Sequence, residues 1–176
     1  MGTTKARNAT KATSDSLHIP ASTFVLDNGA FTMKAGWALD TASSEEALSS
    51  CIAIPNALVK TRDNRILLGA QLLTHVTDWN EAMFRRPVEK GYIVNWEAEK
   101  EIWEQSFFDE KTTARNKNIR IAAPEDTTLI LTEAPNAMPV LQRNTDEMVM
   151  EEWGFGGYAR CLGKRNVPLT CQNYYI

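Results

Sequence analysis

The stretch "FVLDNGAFTMKAGWAL", Phe24 to Leu39, decides how the chain is read. Two apolar runs flank a bend that carries Asn28 and Gly29, and both residue types accept the positive φ of a two-residue hairpin turn. The run "STFVLDN" is then an outgoing strand and "TMKAGWAL" its return. Gly29 and the small Ala30 leave the backbone N–H groups of the bend unshielded, and converging N–H groups make a nest for an anion. Lys34 on the return strand adds a point charge. Asp27, just before the bend, is a carboxylate able to hold the water shell of Mg²⁺. Taken alone, such a hairpin is an ordinary structural turn, because it lacks the spaced glycines of a P-loop or a dinucleotide-binding turn.

Working outward, "CIAIPN" is a short strand stopped by Pro55, which has no N–H for a ladder. "RDNR" carries turn chemistry, and "ILLGAQLL" reads as a strand or a strand running into a helix. Residues 71–86 are ambiguous, with loose helical spacing. "EKGYIVNWEAEKEIWEQSFF" contains a helix capped by Asn95, with Glu97 and Glu99 suited to the positive end of its dipole. Trp96, Ile102, Trp103 and Phe107 recur on one apolar face and are expected in the core. "TTLILTEAP" is a buried strand ended by Pro135. "RNTDEMVMEEWGFGG" is a second helix, with Met148, Val149 and Trp153 inward and Gly154 as its stop. The order hairpin, strand, irregular insert, helix, strand, helix predicts an α/β fold with a mixed sheet and flanking helices. The expected divisions are a disordered tail over 1–21, a body over 22–55 and 87–160, an insert over 56–86, and a patternless tail over 161–176.

The totals exclude several classes. A chain of 176 residues closing on one core buries roughly 70% of its unfolded surface. The net charge of −3 selects no class of partner. No apolar run approaches the ~20 residues of a membrane span, and the first residues lack the apolar core of a secretory signal. Cys51, Cys161 and Cys171 are widely spaced and form neither a zinc pattern nor a disulfide framework, which predicts a reducing compartment, cytosol or nucleus. His18 and His75 stand alone, so no nucleophile–base set and no metal site is predicted. Lys111, Arg115, Lys117 and Arg120 gather in "KTTARNKNIR" without an acid. That segment is either a solvated loop beside an acidic helix or a loop that meets nucleic-acid phosphates.

The hairpin, followed by "IPN", "GAQ", "RRPVEKGYIVNWEAEKEIW" and then "LTEAP" with "NTDEMVMEEWGF", resembles the actin superfamily in order from residue 22 to about 160. The resemblance implies an actin-like (ribonuclease H-like) first subdomain, incomplete, with 56–86 as the second-subdomain insert. The wording "KGYIVNW", the short insert and "IPN" are most similar to a nuclear class of actin-related proteins found in chromatin remodelling complexes that install a variant histone. It implies that the turn of Gly29, Ala30, Phe31 and Thr32 presents backbone amides to nucleotide phosphates. It further implies Lys34 as the phosphate-facing lysine and Asp27 as a partner of the metal's water shell.

Two departures bear on activity. Ala30 stands where actin has a serine whose hydroxyl can bond the terminal phosphate, and losing such a bond is worth about 1.5–3 kcal/mol. Phe31 replaces a glycine. After "GGYARC" the family's water-positioning glutamine, second phosphate hairpin and adenosine pocket do not follow. Without them one hairpin cannot hold both sides of a transferring phosphate. The expectation is a non-catalytic scaffold subunit in the nucleus and also the cytoplasm, partnered by remodelling subunits. Nucleosome or DNA contact would run through the basic loop. ATP is expected in a complete parent protein and not stably in this chain. A cytoskeletal or ATPase form of the fold is the alternative. The change to patternless sequence near Cys161 is read as a truncated gene model, intron read-through or alternative transcript, leaving one sheet face bare.

Overall fold

Strand β1 (Ser22–Asn28) alternates in a way that assigns both faces of the main sheet. Phe24 and Leu26 point into the principal core, whereas Val25 points to the opposite side. The period-2 pleat enforces that split. β1 pairs antiparallel with β2 (Thr32–Trp37), which pairs antiparallel with β3 (Ile52–Pro55). The structure, a computed structural model, describes residues 20–38, 50–75, 83–113 and 119–162. Expectations for the tail over 1–19, for the loop 39–49 and for residues 163–176 fall outside them.

The insert is more regular than its sequence suggests. β4 (Leu58–Lys60) lies between β5 (Ile66–Leu68) and β6 (Met83–Arg85) in a separate three-stranded antiparallel sheet. The "RDNR" segment turns the chain there, with Asn64 in the left-handed region at φ 65°. A 3₁₀ turn (Gly69–Gln71) and helix α1 (Leu72–His75) follow, and Ala57, Val59 and Leu72 form a small core of their own. The strands are only three residues long, too short for alternation to be read with assurance from sequence.

After a short hairpin of β7 (Val88–Glu89) and β8 (Tyr92–Ile93), helix α2 (Trp96–Trp103) begins at the expected cap. The Asn95 side chain accepts from Ala98 N at 3.1 Å. α2 passes into a π-helical turn (Glu104–Phe108) and then α3 (Glu110–Thr113). Ile102, Trp103 and Phe107 are buried against the sheet as expected, but Trp96 is only half-buried and lies outside that core. Glu99 stands in the first turn, as its reading as a dipole partner expects, but is fully buried. It sits three and four residues before Ile102 and Trp103, and that spacing puts it on the inward stripe.

β9 (Thr127–Glu133) then enters the sheet parallel to β1. Helix α4 (Pro139–Asp146), continued by a π-helical turn (Glu147–Glu152), starts four residues earlier than the polar run "RNTD" implied. Pro139 sets the start, since a missing N–H costs nothing in a first helical turn. Gly154, at φ 65°, ends the segment as expected. A strand that the sequence reading missed, β10 (Gly157–Leu162), pairs parallel with β9 and runs through Cys161 and Leu162. Its first glycine masks it, yet a Cβ on Gly157 would stand 2.6 Å from Thr128 Oγ1, so any larger residue would force the Thr128 side chain to move.

The resulting five-stranded order, β10-β9-β1-β2-β3, is a mixed sheet. Phe24, Leu26, Met33, Ile54, Leu129 and Leu131 face the helices, each contributing about 1.5–3 kcal/mol by burial. Trp153 stacks on Trp103 at 4.8 Å between ring centroids. The expectation of a bare second face fails at its centre. Val25 and Ile130 are buried there, flanked by Ala38, Cys51, Ala159 and Cys161. Among the described residues no helix is long and apolar enough to cross a membrane.

Candidate functional site: the hairpin turn and its underside

The hairpin forms, but its turn is not centred on Asn28 and Gly29. Asn28 pairs with Met33, which leaves Ala30 and Phe31 at the tip. Neither Asn28 nor Gly29 has positive φ. Gly29 is needed for closeness instead: a Cβ there would lie 2.6 Å from the Thr32 carbonyl oxygen. Its N–H donates to the Asp27 carbonyl at 3.0 Å, so that amide is not free for an anion. Among the described residues the amides of Ala30 and Phe31 have no backbone acceptor.

The pleat divides the remaining site residues. Asp27 faces Lys34 across the hairpin, with Lys34 Nζ 3.2 Å from Asp27 Oδ2. Thr132, on the neighbouring parallel strand, donates to Asp27 Oδ1 at 2.6 Å. Lys34 remains 62% exposed, free to swing toward an anion. Asp27 and Thr132 stand at the carboxyl ends of β1 and β9, where ligands of open α/β sheets bind, and Lys34 lies beside them near the start of β2.

Asn28 points the other way, into a buried polar cluster. Its Oδ1 accepts from Trp103 Nε1 at 3.3 Å. Asn56, fully buried after β3, sends its Nδ2 to the Gly29 carbonyl and to Glu99 Oε1, each at 3.1 Å. The Asn56 backbone N–H donates to the Phe31 carbonyl at 3.0 Å. Burial pushes the Glu99 carboxyl above the usual glutamate range, opposed by hydrogen bonds from Asn28, Asn56 and Trp103. Sequence reading missed Asn56, Glu99, Thr132 and Arg86. Glu99 alone carried a signal, its place on the apolar stripe.

Phe31 points outward and is 70% exposed. The Arg86 guanidinium covers its ring at 4.2 Å from the centroid, and Phe84 lies on the same cation at 5.9 Å. The tip of the turn is therefore joined to the insert. Away from the tip, between the ends of β8 and β9 and helix α4, a cavity of about 40 Å³ is lined by residues that include Asn28, Trp96, Thr132 and Arg160. That is room for water, whereas small-molecule sites measure about 300–1,000 Å³.

The basic loop divides at the edge of the described residues. Lys111 is exposed, and Arg120 pairs with Glu110 at 3.2 Å. Arg115 and Lys117 lie outside the described residues.

Comparison with known proteins agrees with this geometry. The family model described as Actin matches residues 19–168. "Actin-like protein arp6" of Aspergillus fumigatus is 62% identical over 93% of this chain and 36% of its own length. The protein of the same name in Emericella nidulans is 62% identical over 92% of this chain and 34% of its own. "Actin-related protein 6" of Arabidopsis thaliana is 34% identical over 74% of this chain and 28% of its own. The chain thus spans about a third of the length of the curated relatives it matches. With the hairpin, the mixed sheet and the capped helix in the family's order, the chain belongs to the actin family, among its actin-related proteins.

Proposed function

We propose that the chain is the N-terminal part of a non-catalytic, actin-related scaffold subunit of a nuclear chromatin remodelling complex that exchanges a variant histone into nucleosomes. One observation carries the reading. The turn that would grip a terminal phosphate has a methyl group at Ala30 and a large outward ring at Phe31, and Arg86 ties that ring to the insert. Such a turn is braced for structure. Nucleotide contact from this chain is limited to the amides of Ala30, Phe31 and Thr32 and to the Lys34 charge, with Asp27 toward the metal's water. These residues fit one side of a phosphate group and lack the hydroxyl that would hold its end. ATP would supply the charge that orders the turn in a complete protein, and this chain alone would not retain it.

The insert supplies the partner surface. Ile66, Met83 and Phe84 are exposed there, interspersed with Lys60, Arg85 and Arg86. Aromatic, methionine and arginine side chains are the types enriched at protein interfaces. Nucleosomal DNA contact through Lys111, Arg115, Lys117 and Arg120 belongs to the same proposal, with Arg120 leaving Glu110 to make it.

Affinity purification of the complete tagged protein from nuclear and cytoplasmic extracts tests the assignment. Recovery of remodelling subunits with a variant histone from the nuclear fraction is expected. Recovery of neither would overturn it. The alternative, an actin-fold ATPase or polymer subunit, draws on the retained Asp27, Lys34 and Thr132 constellation. It predicts magnesium-dependent turnover that Asp27→Ala abolishes.

A further inference from the structure

Glu99 has no exposed surface, and its Oε1 accepts two hydrogen bonds, from Asn56 Nδ2 at 3.1 Å and Trp103 Nε1 at 3.0 Å. Its Oε2 is buried with no donor, and the Asn56 Oδ1 is buried with none either. In the same cluster Asn28 Nδ2 is buried with no acceptor, so among the described residues two acceptors face one unused donor and the cluster is one proton short. Buried polar groups left so are costly.

Among the described residues no cation compensates an ionised Glu99. On β1 and β2, Asp27 and Lys34 pair with each other on the opposite face of the sheet. On its own helix, Lys100 pairs with Glu152, while Glu97 and Glu101 are exposed, as is Glu104 in the turn that follows. On the insert side, the guanidinium of Arg86 is engaged with Phe31. The groups that act on Glu99 are the neutral side chains of Asn28, Asn56 and Trp103, and its burial outweighs them. One proton settles the count. As a carboxylic acid, Glu99 gains an Oε2–H donor for Asn56 Oδ1, while Asn56 Nδ2 already returns to Oε1. An acid and a primary amide can close such a two-bond ring.

We infer that Glu99 is carried as the neutral acid and forms with Asn56 a proton-bearing clasp that positions the turn above it. Asn56 is the intermediary. Its side chain holds the Gly29 carbonyl and its backbone N–H holds the Phe31 carbonyl. Both carbonyl oxygens are thereby drawn down toward the core, which leaves the N–H side of the turn outward. Glu99 is a positioning residue, acting on the turn through Asn56. Its relevance to nucleotide rests on the proposed reading of the turn, but the clasp itself does not.

The test is made on the complete protein. Difference infrared spectroscopy at neutral pH, wild type against Glu99→Gln, is expected to show a protonated-carboxyl C=O stretch that the variant loses. A carboxylate signal alone would overturn the inference, and that readout needs only the wild type to be folded. Thermal unfolding gives the second readout. A carboxyl raised in the folded state binds more protons there than when unfolded. The contribution of Glu99 to stability is therefore greatest at low pH and falls as pH rises past the ordinary value of 4.5 toward the folded one. Glu99→Gln, which keeps an acceptor and a donor in the same places, is expected to remove that decline and to match or exceed the wild-type Tm at neutral pH. Glu99→Ala is expected to speed hydrogen exchange at the Asn56 amide, which donates to the Phe31 carbonyl. A Glu99→Gln variant with lower Tm at neutral pH, or a wild-type Tm that rises across the window through Glu99, would also overturn it. Each of these failures leaves the extract purification free to succeed, so the clasp and the scaffold reading fail separately.

Discussion

The guanidinium of Arg86 lies 4.2 Å from the centre of the Phe31 ring, and its Nη1 donates to the Phe31 carbonyl at 3.4 Å. These two residues are far apart in sequence, Phe31 in the turn between β1 and β2 and Arg86 directly after β6 of the other sheet, so the contact fastens the tip of the hairpin to the insert. Arg86→Ala is expected to cost about 0.5–1 kcal/mol by denaturant unfolding, since the site is exposed. Hydrogen exchange at the Asn56 amide, which shares the Phe31 carbonyl, should quicken. Unchanged exchange there would mean that the insert does not brace the turn.

The chemical identity of the tip should govern nucleotide contact. Ala30→Ser with Phe31→Gly returns a hydroxyl and removes the outward ring. In the complete protein this pair is expected to tighten Mg–ATP binding by about one to two decades, the value of about 1.5–3 kcal/mol for a hydrogen bond to a charged group. Isothermal calorimetry reads it directly. No gain would show that the weakness lies elsewhere in the cleft.

Gly29 serves by its lack of a Cβ. In Gly29→Ala the new methyl meets the Thr32 carbonyl oxygen at 2.6 Å, inside van der Waals contact. Since the clash is with backbone, the hairpin itself must open. A loss of about 1–3 kcal/mol is expected from thermal or denaturant unfolding, as for an overpacked site. A neutral result would show that the turn is wider than described.

Trp103 joins the core to the polar cluster. It stacks on Trp153 and donates to both Asn28 and Glu99. Trp103→Ala is expected to cost about 3–5 kcal/mol in unfolding free energy, as is usual for a large core aromatic. Trp103→Phe should recover much of the packing while leaving Glu99 Oε1 short of one donor. The difference between the two variants separates packing from hydrogen bonding.

Asn95 offers a local control. Its side chain satisfies the Ala98 amide at the start of α2, so Asn95→Ala is expected to lower stability by about 1 kcal/mol. Circular dichroism during thermal unfolding should show this loss without a change in the turn.

Much of this protein was legible along the chain. Short unbroken apolar runs, Phe24–Leu26 and Leu129–Leu131, bounded by polar residues identify strands buried on both faces. Asn95 and Gly154 mark helix ends by the conformations and hydrogen bonds they favour locally. The candidate site residues Asp27, Gly29, Ala30, Phe31, Thr32 and Lys34 are contiguous, so a single quoted stretch contains them. Other features depended on partners far away in sequence. The position of the turn was set by the Asn28 to Met33 register, and β10 by how closely Gly157 approaches Thr128.

What the amino-acid order determined, then, was which segments become strands and helices and which family motif they spell, since those follow from periodicity and local backbone preference. Only the tertiary structure decided that Glu99 is buried beneath the hairpin, that Asn56 takes both carbonyls of the turn, and that Arg86 covers Phe31. A side chain's charge state and bonding depend on the groups folding brings around it, and here those groups come from three separate stretches of the chain.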